Sequence, residues 1–279
     1  MRLKKWLFLG IFSLAISSFV PEKEIKWVAI GDSITYLNDH LDETGNRVTK
    51  GYLSRVTEKL PYIQYTNQGH NGWTAIRIAK QIEKLGIQKA DVYTVLLGTN
   101  DWWGSQPLGT ITDYNNNTGY ATVYGAFRVI INYLRKVSPQ AQIILLTPMQ
   151  RADFVYLRNP KNNAWGSYRQ KNERWLAEFA DAVKEIGRQE DLNVVDLYSK
   201  GSLKVKRLVK FKRLRDTVSG RYQNFRYPDY TTLKFNPVED DYPYPPEAIG
   251  ITYDGLHPSD KGNQVIAHLL VKVMKKLKF

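Results

Sequence analysis

Cysteine is absent from this 279-residue chain, and histidine occurs only four times. The first absence excludes disulfides, thiolate metal sites and lipid-modified cysteine, so the fold must be stable on its apolar core alone. The second, with no His-Glu-x-x-His pattern, speaks against a catalytic metal, and neither metal nor cofactor is expected. No apolar run reaches the ~20 residues needed to cross a bilayer as a helix, so no stable membrane insertion is expected. The Gly-x-Ser-x-Gly elbow of α/β-hydrolases is missing. No nucleic-acid-binding motif accompanies the net charge of +13, and nucleic acid is not expected as a partner. A hydrophobic content of 43% excludes a disordered chain.

The chain does carry an export pattern at its start. Arg2, Lys4 and Lys5 precede an apolar run from Trp6 to Ile16, and small residues follow around Ala15-Ile16-Ser17. This is the arrangement of a secretory signal peptide, expected over residues 1–20 and excluded from fold reasoning. It predicts a secreted or periplasmic protein whose mature part, residues 21–279, forms one domain.

Within that part, apolar runs alternate with helical periodicities. Trp27 to Ile30, Ile63 to Thr66, Val92 to Leu97, Ile143 to Leu146 and Asn193 to Leu197 read as buried strands. Between them, Tyr52 to Leu60, Ile76 to Leu85, Ala126 to Leu134 and Trp175 to Ile186 place apolar residues at helical spacing, and a last helix starts near Ser259. Five such alternations predict an α/β fold with parallel strands and helices on both faces. Residues 35–50 and 102–121 read as loops. Residues 201–250 interrupt the rhythm as an insertion, readable as a hairpin over 208–227 or as a basic helix over 203–214.

Strand ends carry the polar residues of interest. Gly31-Asp32-Ser33 follows the first, Asn67 to Thr74 the second, and Gly98-Thr99-Asn100-Asp101 the third. A fourth block, Asp254-Gly255-Leu256-His257-Pro258, precedes the final helix. Gly-Asp-Ser alone is ordinary turn composition. Ligands in open α/β sheets nevertheless bind at the carboxyl ends of strands, where these blocks fall. Together they supply what acyl transfer by serine requires: a hydroxyl nucleophile, an imidazole base, a carboxylate to orient it, and oxyanion donors. Asp254 and His257 are three residues apart, which lets the carboxylate reach Nδ1, with Nε2 free to face Ser33. Donors are the N–H groups of Ser33 and Gly72 and the Asn100 amide.

These four blocks resemble the SGNH hydrolases, also called the GDSL family. The resemblance names Ser33, Gly72, Asn100 and His257 as the four family letters, with Asp254 completing the triad. It implies a three-layer αβα flavodoxin-like sandwich with a five-stranded parallel sheet, and metal-free ester hydrolysis. Two features depart from the minimal pattern: Trp73 beside Gly72, and the large insertion before the last helix.

Other residues have more than one reading. Trp73, Trp102 and Trp103 are candidate substrate-binding aromatics, with loop packing as the alternative for the pair. His70 is read as loop-stabilising, His40 and His268 as structural, and Asp32 and Asp101 as holding loops through backbone N–H groups. The basic residues from Lys204 to Arg215 are a solvated face, or else a means of drawing acidic polysaccharide to the cleft. The functional expectation is an exported serine esterase removing acetyl or another short acyl group from carbohydrate. The alternatives are a lipid-directed esterase such as a lysophospholipase or thioesterase, and a non-catalytic glycan-binding protein.

Overall fold

A computed structural model describes residues 23–216 and 218–277. The expected signal peptide lies outside the described residues. The strands are β1 (Ile25–Gly31), β2 (Ile63–Gly69), β3 (Val92–Leu96), β4 (Gln142–Leu146), the short β5 (Phe154–Val155) and β6 (Asn163–Ala164), β7 (Asn193–Val195), β8 (Lys212–Arg215) and β9 (Tyr222–Phe225). The helices are α1 (Ser33–Tyr36), α2 (Tyr52–Lys59), α3 (Ala75–Gln81), α4 (Thr99–Trp103), α5 (Ile111–Asn115), α6 (Val123–Val137), α7 (Leu176–Gln189), α8 (Val205–Leu208) and α9 (Asp260–Met274).

The five long-range strands form one parallel sheet in the order β2-β1-β3-β4-β7. Side chains alternate across it, as a strand period of two requires. Trp27 and Ala29 of β1 enter one apolar cluster, shared with α2 and α9. Val28 and Ile30 enter the other, shared with α3, α6 and α7. The result is the expected three-layer sandwich. The polar Thr94 is tolerated in the centre because it accepts a hydrogen bond from Trp27 Nε1 at 2.9 Å.

This strand order has a switch point between β1 and β3, with β1 continuing outward to β2 and β3 continuing to β4. Carboxyl ends of adjacent strands at such a point form the crevice where ligands sit in doubly wound folds. The segments after β2, β1 and β3 therefore meet there, and they carry Gly72, Ser33 and Asn100. Gly31 is the last residue of β1. A Cβ there would lie 2.1 Å from Thr35 Oγ1, so the missing side chain makes room for the first turn of α1.

Three loop expectations change. Residues 35–50 contain the end of α1 and two short 3₁₀ turns, Leu37–Asp39 and Leu41–Thr44. Residues 102–121 contain α5, started by a capping box in which Thr110 and Asp113 serve each other's backbone. The insertion forms the hairpin reading, with β8 antiparallel to β9, while the basic-helix reading shrinks to the single turn α8. Lys212 corrects the solvated-face reading of the basic residues. It lies on the inward side of β8 beside Leu214, wholly buried, and donates to Asp153 Oδ2 at 2.6 Å and to the carbonyls of Tyr230 and Leu233.

Candidate active site

Ser33 opens α1 directly after β1. Asp32 caps that helix by accepting the N–H of Ile34 at 3.0 Å. The cap fixes the turn from which the Ser33 hydroxyl projects, so the loop-holding role read for Asp32 is what its carboxylate does. Ser33 is nearly buried, with 6% of its surface exposed.

The opposing wall is the segment before α9. Asp254 Oδ1 accepts the N–H groups of Leu256 (3.0 Å) and His257 (2.7 Å), and Oδ2 pairs with His257 Nδ1 at 2.6 Å. One carboxylate thus shapes its own loop and orients the imidazole. The backbone folds back on itself from Tyr253 N–H to the His257 carbonyl at 3.1 Å. His257 Nε2 lies 2.8 Å from Ser33 Oγ. With Asp254 ionised and accepting at Nδ1–H, Nε2 is left as the acceptor of the serine proton.

Phe154 and Tyr253 hold the ring from either side. Phe154 meets it edge-on at 5.5 Å between centroids, and Tyr253 stacks at 5.9 Å. The chain from Ala152 to Val155 is tied to the same loop by Ala152 N–H to Gly255 O (2.8 Å) and Val155 N–H to Asp254 O (3.1 Å). Sequence reading missed this wall. Phe154 lies in a two-residue strand in the connection between β4 and α7, with no periodicity to mark it.

The expected oxyanion donors lie in the segments that follow the neighbouring strands β1, β2 and β3. Gly72 adopts φ +75°, and a Cβ there would meet nothing within 4 Å. Its need for glycine is therefore conformational, and the space before it is open. Neither the Ser33 N–H nor the Gly72 N–H finds an acceptor among the described residues. Asn100 Nδ2 donates to the Trp73 carbonyl at 3.0 Å, which ties α4 to the Gly72 loop and uses one of its two hydrogens. Asp101 braces the same loop by accepting the N–H groups of Ala75 (2.9 Å) and Ile76 (3.5 Å) at the start of α3.

Burial sets unusual electrostatics under these loops. It pushes the Asp32 carboxyl up to about 6 and that of Asp101 up to about 7, against the hydrogen bonds that favour their charged forms. Burial also lowers the Arg151 guanidinium to about 10, opposed by nearby Asp153 and Asp254. Arg151 lies under the rings of Trp102 and Trp103, at 5.5 and 5.1 Å, with Nε and Nη2 unpartnered in protein.

The three tryptophans separate. Trp102 is wholly buried and donates from Nε1 to the Arg174 carbonyl at 2.9 Å, so it is core and offers no face to a substrate. Trp103 is half-buried, edge-on to Trp165 at 4.8 Å with Lys171 Nζ 4.4 Å from its ring centre. Trp73 is half-buried between His70, stacked at 4.3 Å, and Arg77, 4.4 Å from its ring. His70 thus packs the loop, and His40 stacks on Tyr36, as structural roles require. Among the described residues, no group of three or more His, Asp or Glu side chains is placed to hold a metal ion. No helix among them is long and apolar enough to cross a membrane.

A family model described as GDSL-like Lipase/Acylhydrolase family matches residues 29–265. The crystal structure of a possible lipase from Chitinophaga pinensis DSM 2588 is 57% identical, covering 91% of this chain and 99% of its own, with a TM-score of 0.90. A protein from Lactobacillus plantarum (18% identity, 92% and 99% covered, TM-score 0.58) and an acetyl xylan esterase (18%, 89% and 99%, 0.53) share the fold. No curated protein matches the chain.

Proposed function

The chain belongs to the GDSL-like lipase/acylhydrolase family, whose members hydrolyse esters, and from that premise we propose that it is a serine esterase removing acetyl or another short acyl group from carbohydrate. The observation that carries the serine chemistry is the continuous hydrogen-bonded path from Asp254 through His257 to Ser33, at 2.6 and 2.8 Å.

In this reading, Ser33 Oγ attacks the ester carbonyl while its proton passes to His257 Nε2. The N–H groups of Ser33 and Gly72, with the free hydrogen of the Asn100 amide, receive the oxyanion. Each such donor contributes about 3 kcal/mol at the transition state. The tetrahedral intermediate collapses, His257 returns the proton to the departing alcohol, and an acyl-enzyme remains. Water then attacks that ester with His257 again as base, and the acid leaves. Asp254 keeps the imidazole in the required tautomer and stabilises its charged form.

Support for a short acyl group comes from Trp73, whose ring is held rigidly beside Gly72 by His70 and Arg77. Support for carbohydrate comes from Phe154 and Tyr253 beside the imidazole, and from an acetyl xylan esterase built on this fold. Export through the Arg2-to-Ser18 segment would place the enzyme where polysaccharide is met. The similar C. pinensis protein is described as a possible lipase, which favours a lipid-directed esterase as the second reading. Release of acetate from a panel of acetylated polysaccharides, measured beside p-nitrophenyl esters of rising chain length, decides between them. Preference for long chains with no acetate release from any glycan overturns the carbohydrate reading.

A further inference from the structure

His257 must hand its proton to the departing oxygen, so the alcohol half of the ester lies on the imidazole side of Ser33. Phe154, edge-on to that imidazole, is also a wall of a recess of about 160 Å³. A cavity of ~150 Å³ accommodates a benzene ring, so this volume suits one six-membered ring rather than a long chain. Three aromatic side chains, Phe154, Trp165 and Phe235, line it, and they offer apolar surface to the C–H face of a sugar.

The charged lining has two cations, Arg169 and Lys234, and one carboxylate, Asp153. Arg169 is held by its Nη2, which donates to the carbonyls of Thr231 (3.0 Å) and Thr232 (3.2 Å), so the guanidinium is fixed rather than free to swing. Among the described residues, no carboxylate forms an ion pair with Arg169 or Lys234. The acidic lining residue, Asp153, has both oxygens committed: Oδ1 to the Gly166 N–H and the Tyr168 hydroxyl, and Oδ2 to the buried Lys212 ammonium. Its charge is balanced within the protein. The recess therefore presents uncompensated positive charge beside aromatic faces.

We propose that this recess binds the alcohol part of the substrate and selects a sugar ring bearing a carboxylate, that is, an O-acylated uronic acid unit. The inference rests on the esterase reading above and sharpens its substrate class. With Nη2 spent on those carbonyls, the remaining N–H groups of Arg169 offer a carboxylate charge-assisted hydrogen bonds, and Lys234 adds a second positive charge.

The test compares an O-acetylated methyl glucuronoside with the matching O-acetylated methyl glucoside, identical except for the carboxylate. We expect kcat/KM to favour the glucuronoside by about tenfold, the size of one charge-assisted hydrogen bond. The K234E and R169Q variants should bring that ratio close to one, chiefly through KM on the glucuronoside, while K234R keeps it. Loss of folding would lower both substrates together and leave the ratio unchanged, so the ratio isolates the charge. Equal wild-type rates on the two sugars, or a ratio that survives K234E and R169Q, overturn the anionic subsite while leaving carbohydrate esterase activity intact. Hydrolysis of a lysophospholipid with neither sugar cleaved overturns both readings.

Discussion

Ser33 Oγ and His257 Nε2 stand 2.8 Å apart although 224 residues separate them in the chain. Replacing either end of that contact should remove the same chemistry. The S33A and H257A variants should each lower kcat on p-nitrophenyl acetate by about 10⁴–10⁶, and the double variant should be little worse than either, because the residues act as a unit. Covalent labelling of Ser33 by an organophosphonate, lost in S33A, checks the nucleophile directly.

Asp254 does two jobs, which two variants separate. In D254N the carboxyl shape persists but the tautomer control is lost, and kcat should fall about 10⁴-fold. In D254A the N–H groups of Leu256 and His257 also lose their acceptor, so the melting temperature should fall further than in D254N. Parallel kinetics and thermal denaturation on the pair distinguish the two losses.

Gly72 isolates backbone geometry from sterics. A G72A side chain would meet nothing within 4 Å, yet φ +75° costs an L-residue about 1–2 kcal/mol. The loop should relax and turn its N–H away, lowering kcat about 10²-fold with only a modest change in melting temperature. N100A should lose a comparable 10²–10³ in kcat. Steady-state kinetics with p-nitrophenyl acetate reads both.

Asp101 and Asp32 give stability a pH dependence of definite sign. Their folded carboxyls sit at about 7 and about 6, above the ordinary 3.8. Between those limits the native state binds protons that the unfolded chain has released, so stability falls as pH rises. Their contribution is complete below about pH 4 and lost on passing through about pH 6–7. Thermal denaturation between about pH 5 and pH 8 should show this decline, and D101N should flatten it.

Lys212 and Asp153 form a buried pair at 2.6 Å that holds the insertion to the site wall. K212M leaves the Asp153 carboxylate uncompensated and should cost about 3–5 kcal/mol in urea unfolding. Adding D153N should restore part of that loss. A K212M/D153N double variant no more stable than K212M would place the cost in the lost Tyr230 and Leu233 contacts instead.

Much of this was legible in the sequence for a physical reason. Strands buried on both faces must be continuously apolar, so Val92 to Leu97 and Ile143 to Leu146 announced themselves, and polar blocks at their ends stood out by contrast. The blocks holding Ser33, Gly72 and Asn100 follow apolar runs, the Asp254–His257 block precedes the last helix, and resemblance to one family singles out these five residues. Thr110 and Asp113 carried a capping signal for α5 that the polar composition around it obscured. Trp102 and Lys212 misled, because residue type does not reveal which way a side chain faces once a segment is irregular or newly paired.

The sequence by itself determined the alternation of strands and helices and the kinds of chemical group at the strand ends, since burial and turn formation act on neighbouring residues. Only the tertiary structure decided which indole is core, which lysine is buried, and that Phe154, Arg169 and Lys234 share a recess beside His257. Those relations depend on contacts between distant segments, whose geometry is set by packing of the whole chain rather than by any local pattern.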